Sequence, residues 1–357
     1  MDIFVYGIFD NGIRLKGVTD IVEILCWMRH FYSSDEFELL LPANDKNMGL
    51  FTQNSIVELP GRYSGIITKT EIFSRDSSYY IKAKGCSFDG MFRRRVLIDF
   101  SEGDSLMTTV YRNCGKAAGE IRSFPETEFD FSCDCQSSLM EAYKFRSLAA
   151  FVNASCKNAE FGIMSELAHE GGRHYIKFYG RRAVDRSAAQ NENRSVIFSD
   201  RYENCNDAEY VYSESGAMTG AVVYSESKYL YDSYIDEWHG IYGEDSRGFG
   251  RYEKAFRIQP KISYVPKTLG GQTVYVPALD KEATADYGGY IHLSNYSGFD
   301  ERMRVHAVLK KDYREHFDVG DRITVECSKF GKLMNRSICE ITERYTAEGF
   351  TAEVEAG

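Results

Sequence analysis

Hydrophobic and polar residues alternate most regularly near the C-terminal end of the chain. Ile323, Val325 and Cys327 alternate with Arg322, Thr324 and Glu326. Gly331 breaks the run, and Cys339 and Ile341 resume it. Beyond Glu348-Gly349, Phe350, Ala352 and Val354 alternate with Thr351, Glu353 and Glu355. A period of two between glycine turns predicts half-buried antiparallel strands, here a three-strand meander with one face in a core. The N-terminal part carries shorter runs of the same kind. Phe4 to Phe9 and Ile13 to Val18 flank Asp10-Asn11-Gly12, where Asn-Gly predicts a tight hairpin. Trp27 to Phe31, Phe37 to Leu41, Gly65-Ile66-Ile67 and Tyr79-Tyr80-Ile81 continue the series, with Arg75 to Ser78 as a turn. Short strands at this spacing predict a small barrel or sandwich.

The middle changes period. Asp104 is placed to cap a helix whose apolar positions Leu106, Val110 and Cys114 recur every four residues. Ser138-Leu139-Met140-Glu141 has capping-box spacing and predicts a second helix running through Leu148, Phe151 and Val152. Strand patterns return at Tyr175 to Tyr179, Ser195 to Phe198, Glu209 to Tyr212 and Met218 to Tyr224. Ile235 to Ile258 reads as a long hairpin turning through Gly243 to Gly250, and residues 260 to 300 show no clear period.

Composition narrows the function classes. The 25 tyrosines and 23 phenylalanines favour β structure, and a chain of 357 residues has room for more than one domain. No apolar run approaches the ~20 residues of a membrane span. Met1 to Tyr6 lacks a basic start and a long apolar core, so it reads as a first strand and not as a secretory signal. Nine scattered cysteines in such a chain are expected to be reduced. The net charge is -10, and nine acids between Asp207 and Asp245 face only Lys228, giving that segment -8. This balance opposes phosphate gripping. It suits a solvated face, or a passage along which nucleic acid moves without sticking.

Candidate chemistry is sparse. His169, Glu170 and His174 miss the helical zinc spacing by one residue, and Gly171-Gly172 breaks a helix there, so a loop followed by a strand is the expectation. Cys133-Asp134-Cys135 has no partner pair for a tetrahedral metal site. Asp232, Asp236, Glu237 and Trp238 sit among Tyr229, Tyr231, Tyr234 and Tyr242, which admits a glycosidase, a sugar-binding cleft or a protein interface. Arg93-Arg94-Arg95 reads as a salt-bridging surface cluster after a strand. No phosphate loop and no serine triad can be picked out, so no cofactor and no metal is expected and the chain reads as a non-enzyme.

Four segments in order resemble the siphovirus ReqiPepy-type tail protein family. They are Trp27 to Tyr32 with Glu36 to Pro42; Gly65-Ile66-Ile67 with Ile81 to Gly85 and Arg93 to Arg95; Asp185-Arg186-Ser187 with Val196 to Ser199; and Val319 to Val325 with Ile338 to Glu343. The chain departs from the family where Gly180 is followed by Arg181-Arg182-Ala183-Val184 before Asp185. The motif positions Trp27, Arg29, Phe37, Glu38, Asp185, Arg186, Ser187, Gly320 and Asp321 become the expected structural or interface residues.

The resemblance implies a mostly-β α+β protein similar to phage tail-hub proteins, with barrel-like β domains at both ends and a mixed α/β middle. The expected divisions are a barrel-like domain over 1–100, a mixed helix and strand domain over 101–200, an acidic tyrosine-rich β insert over 201–300, and a meander completing a barrel over 301–357. It further implies a homotrimeric ring in the virion at the tail tip. Its partners would be the tail tube, distal tail and tape-measure proteins, with passage of DNA, no specific DNA binding and no membrane insertion. The alternatives are a tail-associated cell-wall hydrolase using Asp236 and Glu237, and a receptor- or sugar-binding module using Trp238.

Overall fold

The computed structural model describes residues 2–10, 12–20, 22–101, 103–137, 139, 143–202, 204–205, 207–213, 220–228, 234–242, 253–257, 262–269, 272–279, 300–309 and 313–357. The N-terminal strands are β1 (Ile3–Phe9), β2 (Gly12–Thr19), β3 (Ile24–His30) and β4 (Glu36–Pro42). A short helix α1 (Asp45–Leu50) leads to β5 (Ile56–Leu59), β6 (Tyr63–Arg75) and β7 (Ser78–Cys86). Then come α2 (Leu106–Cys114), β8 (Thr127–Asp130), α3 (Leu148–Ala159), β9 (Phe161–Glu170), β10 (Arg173–Arg182), β11 (Ile197–Ser199) and β12 (Asp207–Ser213). The inserted strands are β13 (Gly220–Lys228), β14 (Tyr234–Tyr242), β15 (Glu253–Arg257), β16 (Ile262–Leu269) and β17 (Gln272–Leu279). The chain closes with β18 (Asp300–Leu309), β19 (Arg322–Cys327), β20 (Lys332–Thr346) and β21 (Gly349–Ala356).

Two compact units result, one from 1–209 with 303–357 and one from 210–302. In the first, one large sheet runs β12-β18-β21-β20-β3-β4-β7-β6-β5-β1-β2, with β19 branching from β20 and β11 parallel to β19. Among the described residues this ladder ends at β12 and β2 and does not return on itself. The fold is therefore mostly β with a few helices, as expected, in an open sheet.

Two cores lie along that sheet. One gathers Ile3, Val5, Leu25, Trp27, Phe37, Leu39, Val57, Ile67 and Ile81 from β1 and β3 to β7. The other gathers Phe198, Val305, Phe317, Ile323, Val325, Ile338, Ile341 and Val354 from the C-terminal strands. Strand β20 serves both. Its first half, Lys332 to Ser337, pairs with β19, and its second half pairs with β3 from Glu340↔His30 to Thr346↔Ile24. A third core packs α2, α3, β9 and β10 against the outer face of the N-terminal strands, through Leu106, Val110, Phe151, Phe161 and Phe178.

The structure corrects several expectations. In β20 a bulge between Ile338 and Glu340 buries Ile338 and Ile341 and leaves Cys339 half-exposed, because one extra residue resets a period-two face. Helix α2 is capped by Ser105, whose hydroxyl accepts from the Thr108 amide, while Asp104 instead accepts from the Ser101 amide. Helix α3 begins at Leu148 after Ser147. Ser138, Met140 and Glu141 lie outside the described residues. Tyr143 is helical and its amide bonds to the Leu139 carbonyl; Phe145 then takes a left-handed φ of 59° and the Phe145 and Leu148 amides bond to Leu97 and Arg95 carbonyls, so tertiary pairing interrupts the helical stretch before α3. The hairpin expected over Ile235 to Ile258 does not form. Strands β14 and β15 each pair with β13, antiparallel and parallel respectively, and β13 carries the continuous Ala221-Val222-Val223 run of a central strand. The arginine triplet closes a 3-10 turn, Phe88–Arg94, where Arg95 donates to the Arg122 carbonyl and stacks on Phe124.

Candidate functional site

The motif residues converge where β20 meets β3. Arg29, on β3, is buried and donates to Asp318 and, at 3.3 Å, to the Tyr313 hydroxyl. Its guanidinium also lies 4.8 Å from the centre of the Tyr63 ring. Asp318 accepts a second guanidinium, Arg181 from the end of β10. Arg181 reaches on to Asp321 at 3.0 Å, and Arg186 donates to the other Asp321 oxygen at 2.8 Å. Asp321 is 1% exposed and also accepts from the Asp318 amide at 3.0 Å. The result is an alternating chain, Arg29–Asp318–Arg181–Asp321–Arg186, in which the partly exposed Asp318 and the buried Asp321 each face two cations. Burial opposes the Asp318 charge, yet Arg29 and Arg181 hold its carboxyl below the usual range.

A second carboxylate anchors the same corner. Glu343 on β20 is fully buried and accepts three tyrosine hydroxyls. Tyr63 and Tyr313 donate to Oε1 at 2.6 and 2.7 Å, and Tyr345 donates to Oε2 at 2.5 Å. Arg62 stands 3.9 Å from Oε2 and donates to Tyr345 at 2.6 Å. Burial raises the pKa values of Tyr63, Tyr313 and Tyr345 above the ordinary tyrosine value, so all three act as neutral donors. Tyr63 belongs to the N-terminal strands and Tyr313 and Tyr345 to the C-terminal part, so Glu343 ties the two cores through side chains as β20 does through backbone.

Gly320 lets the loop close. Its φ is +90°, and a Cβ there would stand 2.3 Å from the Phe31 ring. Its amide donates to the Ile338 carbonyl at 2.8 Å. On the other side, the Arg186 amide donates to the Arg322 carbonyl at 2.7 Å and the Arg322 amide donates to the Val184 carbonyl at 2.9 Å. These bonds bring the Asp185-Arg186-Ser187 segment alongside β19.

A polar cavity of about 300 Å³ adjoins the junction, lined in part by Arg29, Asp35, Arg62, Asp89, Ser165 and Tyr179. Arg29 Nε is buried there with no partner among the described residues. Asp35 accepts from Trp27 Nε1 at 3.1 Å and the His30 amide at 3.0 Å. Asp89 accepts from the Ser165 hydroxyl at 2.8 Å. Burial pushes the Asp89 carboxyl up to about 6, against hydrogen bonds from Ser87 and Ser165, and it raises Asp35 as well.

The expected residues thus divide. Arg29, Arg186, Gly320 and Asp321 meet in the junction. Trp27 is one contact away, stacked on Phe37 at 4.7 Å and Tyr63 at 5.3 Å. Phe37 is core. Ser187 is buried beside β19, where its amide donates to the exposed Asp185 at 2.8 Å. Glu38 is elsewhere, paired with Lys82 and Lys84 on the surface. Sequence reasoning did not single out Tyr63, Tyr313 or Tyr345, nor pick Asp318, Arg181 and Glu343 from the segments that contain them. Asp134, between its two cysteines, receives the Ser105 hydroxyl at 2.5 Å and the Met107 amide at 3.0 Å and so secures the start of α2. Asp236, Glu237 and Trp238 occupy consecutive positions of β14, while Asp232 lies outside the described residues. Among the described residues no three His, Cys, Asp or Glu side chains are grouped to hold a metal.

The junction is an interlocked set of ion pairs and hydrogen bonds that joins the two cores. A family model described as Siphovirus ReqiPepy6 Gp37-like protein matches residues 5–229. The chain belongs to this siphovirus tail protein family. The match contains Arg29, Arg181 and Arg186 and ends before their acidic partners. Three solved structures share the fold of this Gp37-like chain. A tail protein from Neisseria meningitidis MC58 aligns with a TM-score of 0.55 at 10% identity, over 99% of this chain and 96% of that one. The 43 kDa tail protein of prophage MuSo2 from Shewanella oneidensis gives 0.54 at 11% identity, over 100% and 98%. Prophage tail protein gp18 from Listeria monocytogenes EGD-e gives 0.51 at 11% identity, over 99% and 94%. No curated protein sequence matches significantly.

Proposed function

We propose that this Gp37-like chain is a structural, non-catalytic component of a phage or prophage-derived tail tip, a baseplate hub joining the tail tube to distal tail parts. Family membership and the shared tail-protein fold support a tail role. The observation that carries the hub reading is β20, one strand shared by two β assemblies whose relative placement is further fixed by the Arg29 to Arg186 ion chain and by Glu343. A subunit that offers two rigidly coupled barrel-like domains, one N-terminal and one completed by 301–357, lets three copies present six such domains to a tube above. Ring closure would also cover the open edges at β2 and β12. The mixed segment 101–200 would brace the N-terminal domain, and the acidic segment 201–300 would face partners or a lumen through which DNA slides.

The test is co-assembly. Purified chain mixed with tail-tube, distal tail and tape-measure proteins of the same genome should form a joint complex, seen as co-elution at a mass above any single component. A chain that ignores all three contradicts the reading. Peptidoglycan turnover abolished by Asp236→Asn would replace it with the hydrolase, and glycan binding lost in Trp238→Ala would replace it with a receptor-binding module.

A further inference from the structure

Away from the junction, an unassigned cluster sits at the turn joining β9 to β10. Glu170 and Arg173 flank a two-residue loop, Gly171-Gly172, with φ of +58° and +80°. Glycine adopts that pair of left-handed conformations freely. One step from the turn, His169 and His174 are cross-strand partners, at the position where antiparallel side chains approach most closely. Their Nδ1 atoms lie 2.7 Å apart, with the rings at 83°. The spacing that fails a helical zinc motif therefore succeeds across a hairpin.

The second shell is also present. His169 Nε2 stands 2.7 Å from Glu58 Oε1 on β5. Glu58 Oε2 accepts from the Tyr6 hydroxyl at 2.7 Å. A carboxylate only accepts, so His169 Nε2 carries a proton, and with both rings neutral its Nδ1 offers a lone pair. His174 Nδ1 supplies the single proton that the two rings share. An imidazole whose far nitrogen is held by a carboxylate is oriented and made more basic for a metal.

We propose that His169 and His174 chelate a divalent transition-metal ion through their Nδ1 atoms, with Glu58 as the positioning residue behind His169. The ion takes the place of the shared proton, which moves to His174 Nε2, so both rings stay neutral. Metal–nitrogen bonds of about 2.0–2.1 Å at a tetrahedral angle require the two nitrogens to separate from 2.7 Å to about 3.3 Å, an opening of an exposed pair. The His169 side chain is 39% exposed, which leaves the ion a path from solvent. Among the described residues no third protein ligand joins the pair, so water completes the coordination shell. Arg14 and Arg173 line the adjacent cavity with His174, and Arg173 is balanced by Glu126 and Glu128 at 3.0 and 2.9 Å. Imidazole ligands favour zinc, nickel or copper over magnesium or calcium. The bound ion would staple β9 to β10 at the end of the hairpin that rests on β5 and β1.

Calorimetric titration of the full chain with zinc chloride tests this, with magnesium chloride as the control. One zinc per chain is expected and no magnesium. Affinity should fall at least tenfold in His169→Asn and in His174→Asn, and roughly tenfold or more in Glu58→Gln. No zinc binding by the unaltered chain, or unchanged affinity in the doubly substituted chain, overturns the proposal. A variant-free measurement guards against misfolding. In protein labelled with nitrogen-15 histidine, zinc should move the ring signals of two of the seven histidines. The proposal assigns both signals to His169 and His174, and movement of another pair or of none overturns it.

Discussion

Replacing Glu343 by alanine probes the junction where it is most buried. The substitution removes the acceptor of three hydroxyl groups, those of Tyr63, Tyr313 and Tyr345, in a site with no exposure of its own. Each stranded buried hydroxyl costs about 1 kcal/mol or more, and Arg62 loses its nearby countercharge, so the total is about 3–5 kcal/mol. Glu343→Gln keeps an oxygen where Tyr63 and Tyr313 both donate and replaces the oxygen that serves Tyr345, so it should cost only about 1–2 kcal/mol. The asymmetry of buried polar groups gives a further expectation. Combining Glu343→Leu with Tyr63→Phe, Tyr313→Phe and Tyr345→Phe removes the three hydroxyl donors with their acceptor but also deletes the hydroxyls that Arg29 and Arg62 reach, so it should recover only part of the loss. The assay is equilibrium urea unfolding followed by Trp27 fluorescence in a Trp238→Phe background. A loss below about 1 kcal/mol for Glu343→Ala, or a fourfold variant less stable than the single one, would refute the reasoning.

Three other expectations follow from buried groups and backbone. Asp89 has a folded-state value of about 6 against an ordinary 3.8, so the folded chain binds more protons in that window. Stability from this group is present below about pH 4 and lost as pH rises through 6; Asp89→Asn should flatten that slope and add about 2–3 kcal/mol at pH 8, measured by unfolding across pH. Gly320→Ala forces a left-handed φ on alanine and drives its Cβ into Phe31, for a loss of about 2–4 kcal/mol in the same unfolding assay. Burial pushes the Cys86, Cys114 and Cys156 thiols up to about 12, so they should resist alkylation at pH 8 in the native chain and react once urea unfolds it.

What sequence made legible was local. Alternation located β1, β3, β4, β10, β19 and β21, because a strand with one buried face writes its register into residue order. It failed where the register breaks, as at the bulge after Ile338, and where long-range backbone bonds outweigh local preference, as at Phe145 to Leu148. The order of β13, β14 and β15 was hidden because pairing partners are chosen in space and not by adjacency. Of the junction, the motif segments supplied Arg29, Arg186 and Asp321. The tyrosines did not stand out, since Tyr63 and Glu343 are 280 residues apart and nothing in the order of either segment marks the other. His169 and His174 were read against a helical template, and only the hairpin register shows them as opposite neighbours.

The proposed hub requires the coupled β assemblies of three chains to close a ring. Mass determination of the purified chain by light scattering at high concentration, alone and with its neighbouring tail proteins, tests it most directly. Three 40.7 kDa chains give about 122 kDa, the species the account predicts, alone or nucleated by a partner. A particle of 40.7 kDa at every concentration and in every mixture would contradict it.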